Sequence, residues 1–519
     1  MRLSMTRQAE ERSRRDVTLR LILSVAFWLA SGVWIHGQEA PSTEPLRLEA
    51  SGNAYEFLRD GDRLAKKKQY VPALEAWARG YVVRLPEWRQ LEFLHPVNVH
   101  FMSRDELRAF LIASFDQEYP EEMFRRDEIC RRHLGFFGPD VALRETMLDV
   151  LTEEIAGFYD TNTKGLYLFR YEEKAKKKRS FIGRLFASES EFDPDEQKIV
   201  IAHELAHALA DQHFDLHSTM HSVMHDDDMS LAYSAVVEGE ATLVMIMAGG
   251  EVSPEDLDQF FQGLPTVART VQLVGSLAAP FGSGGSFRKA PLIVKESLLF
   301  PYLKGFVFCS EVVARGGWRS INRAFGEPPL STEQILHPEK ALGRDYDAPL
   351  ALRYTTTSPL EGTVWQLVRE NVVGEFGIEV LLRPRLAHHR STAAAAGWDG
   401  DLYRVYEQVD HPSERTLLVW GSTWDSVSDA EEFASALAVH FEVSEHEVLA
   451  TPPGLAEAEY FWRQRLGISG IWRDGKDVWV LDRIPAAHLA GLLEWAFTAH
   501  KEPKKLQVRK VESKLGFPK

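Results

Sequence analysis

Residues 229–250, MSLAYSAVVEGEATLVMIMAGG, are apolar around most of their circumference when wound as a helix, so the helix has to be enclosed by protein. Yet the segment carries Glu238 and Glu240. A buried carboxylate without a partner is costly, so the fold must bring each one a cation, a metal or a metal-bound histidine. Two positions apart on a helix, the two side chains point about 200° away from each other, and one partner cannot serve both. Small or short neighbours at Ser234, Ala235, Ala241 and Thr242 let another helix approach on the Glu238 side. Glu238 is therefore favoured over Glu240 as the ligand.

The candidate partners lie upstream. Asp193 before Pro194, with Glu196 after it, is a helix start and predicts one helix over 194–212. On it His203 and His207 stand four apart, which stacks two imidazoles on one face with Cβ atoms about 5–6 Å apart, within reach of one small cation. Glu204 sits beside them. This is H-E-x-x-H, a zinc-hydrolase motif: two histidines and one further ligand hold Zn2+, a fourth position stays open for water, and Glu204 acts as general base. Hydrolysis also needs a donor for the developing oxyanion, and Tyr302 and His337 are the candidates.

HELAHALADQHFDL followed by VVEGEATLV resembles the gluzincin clan of zinc metallopeptidases. AGFYDTNTKGLYLF before the motif, and FPYLKGFVF, ARGGW and STEQILHPEK after it, are similar to a group of exported bacterial gluzincin-like proteins, with the likeness strongest over about 95–345. The resemblance implies a zincin-like domain in which His203, His207 and Glu238 bind zinc and Glu204 is the catalytic base. It further implies a peptide or protein substrate. Nothing resembles the G-x-M-E-N segment of the clan's aminopeptidases, which leans towards an endopeptidase. The 30 residues between His207 and Glu238 exceed the gap of thermolysin-like members. GLYLF, ahead of the motif, is expected to bind substrate backbone as an added strand.

Part of that gap is a run of histidines. His213, His217, His221 and His225 recur every four residues before Asp226, Asp227 and Asp228. Two readings stand: a second metal site, or an insertion whose closing acids start the next helix. Metal storage through the tract would be a third kind of function. A fourth is a non-catalytic zinc-binding or interaction module of an envelope assembly, against which Glu204 argues, because a structural site has no use for a base there.

A formal charge of −16 excludes a polyanionic partner such as nucleic acid. Arg2, Arg7, Arg12, Arg14, Arg15 and Arg20 precede the apolar run LILSVAFWLASGVWI, an order that reads as an export signal over 1–37, placing the chain in the periplasm, cell envelope or outside the cell. An uncleaved membrane anchor over 21–35 is the alternative. Two cysteines, Cys130 and Cys309, cannot support a disulfide framework, and their pairing stays open. No feature specifies an oligomeric state.

The expected class is α+β. The expected organisation is a flexible lead-in over 38–50, a tetratricopeptide-like helical hairpin over 51–95, and the zincin-like domain over 96–290 with a small sheet, an active-site helix and a Glu-bearing helix. A helical region over 291–410, a small α+β domain over 411–505 and a tail over 506–519 complete it. Within these, PFGSGGSF at 280–287 is expected as a loop.

Overall fold

A computed structural model describes residues 45–170, 194–282, 285–342, 346–442 and 449–506. The expected export segment, most of the lead-in, residues 171–193, whose stretch EKAKKKRSFIGRL reads as a basic surface loop, and nearly all of the tail lie outside the described residues. The chain is α+β, and its contacts divide into two compact units.

The first unit comprises the chain up to Phe214, then 234–329 and 334–345. It opens with strand β1, Leu46–Leu48, within the expected lead-in; its apolar–polar–apolar triplet pairs antiparallel with β2, Val97–Met102. The hairpin follows as α1, Ala54–Lys66, started by the Asn53 side chain, and α2, Tyr70–Arg89, stopped by Gln90 in the left-handed region at φ +56°. After β2, Ser103 and Glu106 form a reciprocal capping box for α3, Arg104–Glu118. Then come α4, Glu121–Leu134, closed by Gly135 at φ +96°, and α5, Leu143–Glu154. A tight hairpin joins β3, Gly157–Asp160, to β4, Gly165–Phe169; Asp160 caps its turn by accepting from the Asn162 and Thr163 amides.

The sheet order is β1-β2-β4-β3, with β2 and β4 parallel. GLYLF is therefore an interior strand, hydrogen-bonded on both sides, and cannot add a substrate strand. The sheet's edge strands are β1 and β3.

Helix α6, Pro194–Phe214, follows. It stops where Asp215 turns into the left-handed region at φ +48° and caps α7, Leu216–Val223, so no continuous histidine stripe forms. Helix α8, Asp227–Gly249, begins at the expected acids. Helix α9, Leu257–Gly282, and α10, Gly285–Lys289, extend helix into both ends of the expected 280–287 loop. Two helical stretches meeting at Gly316 and Gly317 make up α11, Leu292–Gly326.

The second unit comprises 215–233, 330–333 and 346 onwards. Its centre is a six-stranded antiparallel sheet built from β6, Trp365–Asn371; β7, Trp398–Gln408; β8, His411–Trp424; β9, Tyr460–Gln464; β10, Gly467–Asp474; and β11, Asp477–Ile484. The order is β6-β7-β8-β11-β10-β9. All nine residues 416–424 of β8 are buried, as a central strand covered on both faces must be. Trp398, Trp420, Trp424 and Trp472 are fully buried. A separate antiparallel pair joins β5, Leu350–Arg353, to β12, His500–Pro503.

The expected helical region over 291–410 is corrected here: three strands lie between 350 and 408. The reason is local. A bulge between Leu367 and Arg369 shifts the β6 register and leaves Leu367 exposed, which erases the alternation that marks a strand in sequence.

Candidate metal centre

The helix start at Pro194 sets the rotation of α6, and its residues 199–211 are buried without a break. His203 and His207 stand one turn apart with ring planes 88° to each other and centroids 4.5 Å apart. Their Nε2 atoms are 2.9 Å apart, and Glu238 Oε2 on α8 lies 3.1 Å from His203 Nε2 and 3.5 Å from His207 Nε2. All three residues are buried. Ligand atoms about 2.0–2.1 Å from a common tetrahedral centre lie about 3.3 Å from one another, so this triangle has the dimensions of one face of a zinc coordination shell. The Nε2 atoms of both rings face Glu238.

Glu240 has a different fate. It is fully buried and pairs with Arg89 Nε at 2.5 Å, while Arg89 also donates to Asn322 Oδ1 at 2.7 Å and lies over the Trp318 ring. The two glutamates thus take opposite partners, as their positions on the helix require. Arg89 escaped sequence reasoning because nothing distinguishes it from the other basic residues of the chain until the hairpin packs. Between the glutamates, Gly239 meets α11 at backbone distance: a Cβ there would lie 2.2 Å from Gly305 O, and one on Gly305 would lie 2.1 Å from Ala235 O. Glycine at both positions permits the close crossing, and Cys309 Sγ contacts Val236 O beside it. Cys130 and Cys309 are both buried and unpaired with each other.

Glu204 is buried and accepts the Tyr159 backbone N–H on Oε2 at 2.9 Å. Seven residues further along α6, Asp211 Oδ2 accepts the Tyr159 hydroxyl at 2.9 Å and Lys164 Nζ at 2.7 Å. Asp211 was legible in principle, as the one acid on the otherwise apolar stretch after His207.

The charges follow from burial and contact. Burial lifts the Glu204 carboxyl to about 8, His207 pulling it back and Glu238 adding to the rise. Burial also works against the ionised form of Glu238, but His207 and His203 overcome it and hold the carboxyl down at about 2. Burial and the neighbouring His207 push His203 down. His207 rises to about 9: burial opposes its charge, and Glu238 outweighs burial. One proton between two imidazoles thus offsets Glu238 when no cation does so.

Tyr302 on α11 is buried with its ring 6.3 Å from that of His203. His337 stands at the start of the short helix Pro338–Ala341, its Nδ1 4.0 Å from Glu339, and is not one of the converging residues. Of the histidine tract, His213 contacts the Glu92 carbonyl at 2.7 Å, and His217 and His221 pack edge to face on α7. His217, His221 and His225 belong to the second unit, whereas the converging group belongs to the first.

Residues 363–491 match the model of a domain of unknown function (DUF8575). The matched stretch begins just before β6 and holds the six-stranded sheet; it includes none of the converging residues. No curated protein and no solved structure matches the chain.

Proposed function

We propose that the chain is a zinc-dependent metallopeptidase with a zincin-like arrangement in its first unit, in which His203, His207 and Glu238 hold the metal and Glu204 is the general base. One observation carries this reading: three buried residues offering electron pairs converge at 2.9–3.5 Å, while the buried Arg89 guanidinium is committed to Glu240. Two imidazole nitrogens and a carboxylate oxygen suit Zn2+, which when bound draws the pKa of water towards neutrality and polarises a carbonyl. Glu204 Oε2 is held by the Tyr159 amide, so Oε1 is the atom that receives a proton from the attacking water and delivers it to the leaving amine. Tyr302, beside His203, is the better placed of the two oxyanion-donor candidates. Endopeptidase action and export belong to the same proposal, the latter resting on residues 1–37 alone.

A second reading, a non-catalytic zinc-binding module of an envelope assembly, is favoured by the burial of all four site residues, none more than 8% exposed. A paired measurement separates the two: zinc content and cleavage of a mixed peptide library for wild type and Glu204→Gln. Equal zinc with cleavage lower by about 10²–10⁴-fold is expected. Equal zinc with equal cleavage leaves the module reading in front. The ligand set is checked alongside, since Glu238→Ala should empty the site and a conservative Glu240→Gln should not.

A further inference from the structure

Three side chains that bind no metal in the proposal above meet on the face of α6 that carries Glu204. Asp211 follows Glu204 by seven residues, which returns to the same face about 10 Å along the helix. Its side chain is 1% exposed, so its carboxylate requires donors, and it receives two on one oxygen: the Tyr159 phenol and Lys164 Nζ. Burial, then the neighbouring Asp211, push the Tyr159 phenol up, so it stays protonated and donates. Tyr159 therefore grips α6 twice, by its hydroxyl at Asp211 and by its backbone N–H at Glu204. Lys164, in the turn of the same hairpin at φ +54°, closes the clamp from the solvent side with half its side chain exposed.

The consequence concerns which Glu204 oxygen is available. Strand β3 is an edge strand, held by β4 on one side only, and such a strand frays unless something fixes its outer side. We infer that Asp211 is a positioning residue for Glu204: through the Tyr159 hydroxyl and Lys164 it fixes β3 against α6, so that the Tyr159 amide occupies Oε2 and leaves Oε1 facing the reaction. The kinetic half of this inference rests on the metallopeptidase reading. The geometric half does not.

The test uses the full chain with Asp211→Asn, Tyr159→Phe and Lys164→Met, and Lys164→Arg as the conservative control. Amide hydrogen exchange of the Tyr159 amide, metal-free and with zinc added, should accelerate about 10–100-fold in the first two variants, the size expected for losing one buried hydrogen bond to a charged group. Lys164→Met should show a smaller rise that Lys164→Arg restores. Zinc content should stay at the wild-type level, with kcat falling about tenfold at unchanged KM, as for a misplaced catalytic group. Glu204→Gln combined with Asp211→Asn should cleave no more slowly than Glu204→Gln alone, because Asp211 acts only through that carboxylate.

Unchanged exchange at Tyr159 in Asp211→Asn overturns the inference, and so does an additive loss in the double variant. If Asp211→Asn does not fold, Tyr159→Phe and the half-exposed Lys164 variants decide the same question. If wild type cleaves nothing, the peptidase reading fails and the exchange measurement alone judges the clamp.

Discussion

Each compact unit buries a carboxylate at its centre, and Glu238 and Asp401 are treated in opposite ways. Asp401, on β7, accepts the backbone N–H groups of Val373 and Gly374 and the indole N–H groups of Trp398 and Trp420, all at 2.9–3.0 Å. Glu238 faces two imidazole nitrogens, themselves electron-pair donors. A carboxylate ringed by N–H groups is a structural joint, complete as it stands. One that converges with imidazole nitrogens needs a proton on a ring or a cation between them, and on the proposed reading that distinction separates a core acid from a ligand. Glu240 and Asp228 fall on the structural side: the first has Arg89, and the second has the Thr332 amide and hydroxyl, with Lys504 nearby.

The sharpest way to break this comparison is to remove the carboxylates. Asp401→Leu leaves four buried N–H groups without an acceptor, each costing about 1–3 kcal/mol, so chemical denaturation should show a loss of about 4 kcal/mol or more with zinc content unchanged. Loss of zinc from that variant would contradict the division drawn here. Arg89→Met should cost about 3–5 kcal/mol, the usual penalty for stranding one member of a buried ion pair, and Arg89→Met with Glu240→Leu should recover much of it. Stability no better in the double variant than in the single would mean that Glu240 does not depend on Arg89.

Chelation is the complementary test. Withdrawing zinc present at 100–1,000 times its Kd should cost about 3–4 kcal/mol, seen as faster amide exchange in α6 and α8 beyond Ser234 with β7, β8 and β11 unaltered. Equal acceleration in the sheet would remove the contrast between the units.

A pH effect tests the same division. Burial lifts Asp228 to about 7 from an ordinary value of 3.8, against the pull of Lys504. The folded chain therefore keeps a proton that the unfolded chain gives up, so this contribution is fully present below about pH 4 and is lost as pH rises through about 7. Asp228→Asn should flatten that fall in melting temperature relative to wild type; an unchanged slope would assign it to other groups. The smallest expected effect is none: replacing His217, His221 and His225 together by Gln should leave zinc content at the wild-type level and stability within about 0.5 kcal/mol. Zinc lost in proportion would bring the tract into the centre.

Much of this was legible before any fold was known. Helix starts at Ser103 and Pro194 came from capping chemistry, which is local, and the hairpin after Gly157 came from two apolar runs around an Asn-Thr turn. The strand at Trp365 was missed because its bulge hides the two-residue period, and GLYLF was misjudged because strand order is a property of the sheet. The break at Asp215 falls within three residues of the helix end expected at 212, while the short helix after it was not expected, because a left-handed non-glycine residue carries only a weak local signature.

At the centre itself, spacing was enough to put His203, His207 and Glu204 together, since one helical turn links them whatever the rest of the chain does. Small neighbours were enough to favour Glu238. What spacing could not supply were the partners from distant segments: Arg89, 151 residues before Glu240, and Tyr159 and Lys164, about 50 residues before Asp211. Periodicity is written along the chain because the backbone repeats. Which side chain neutralises a buried charge depends on where two elements meet, and that is decided only when they pack.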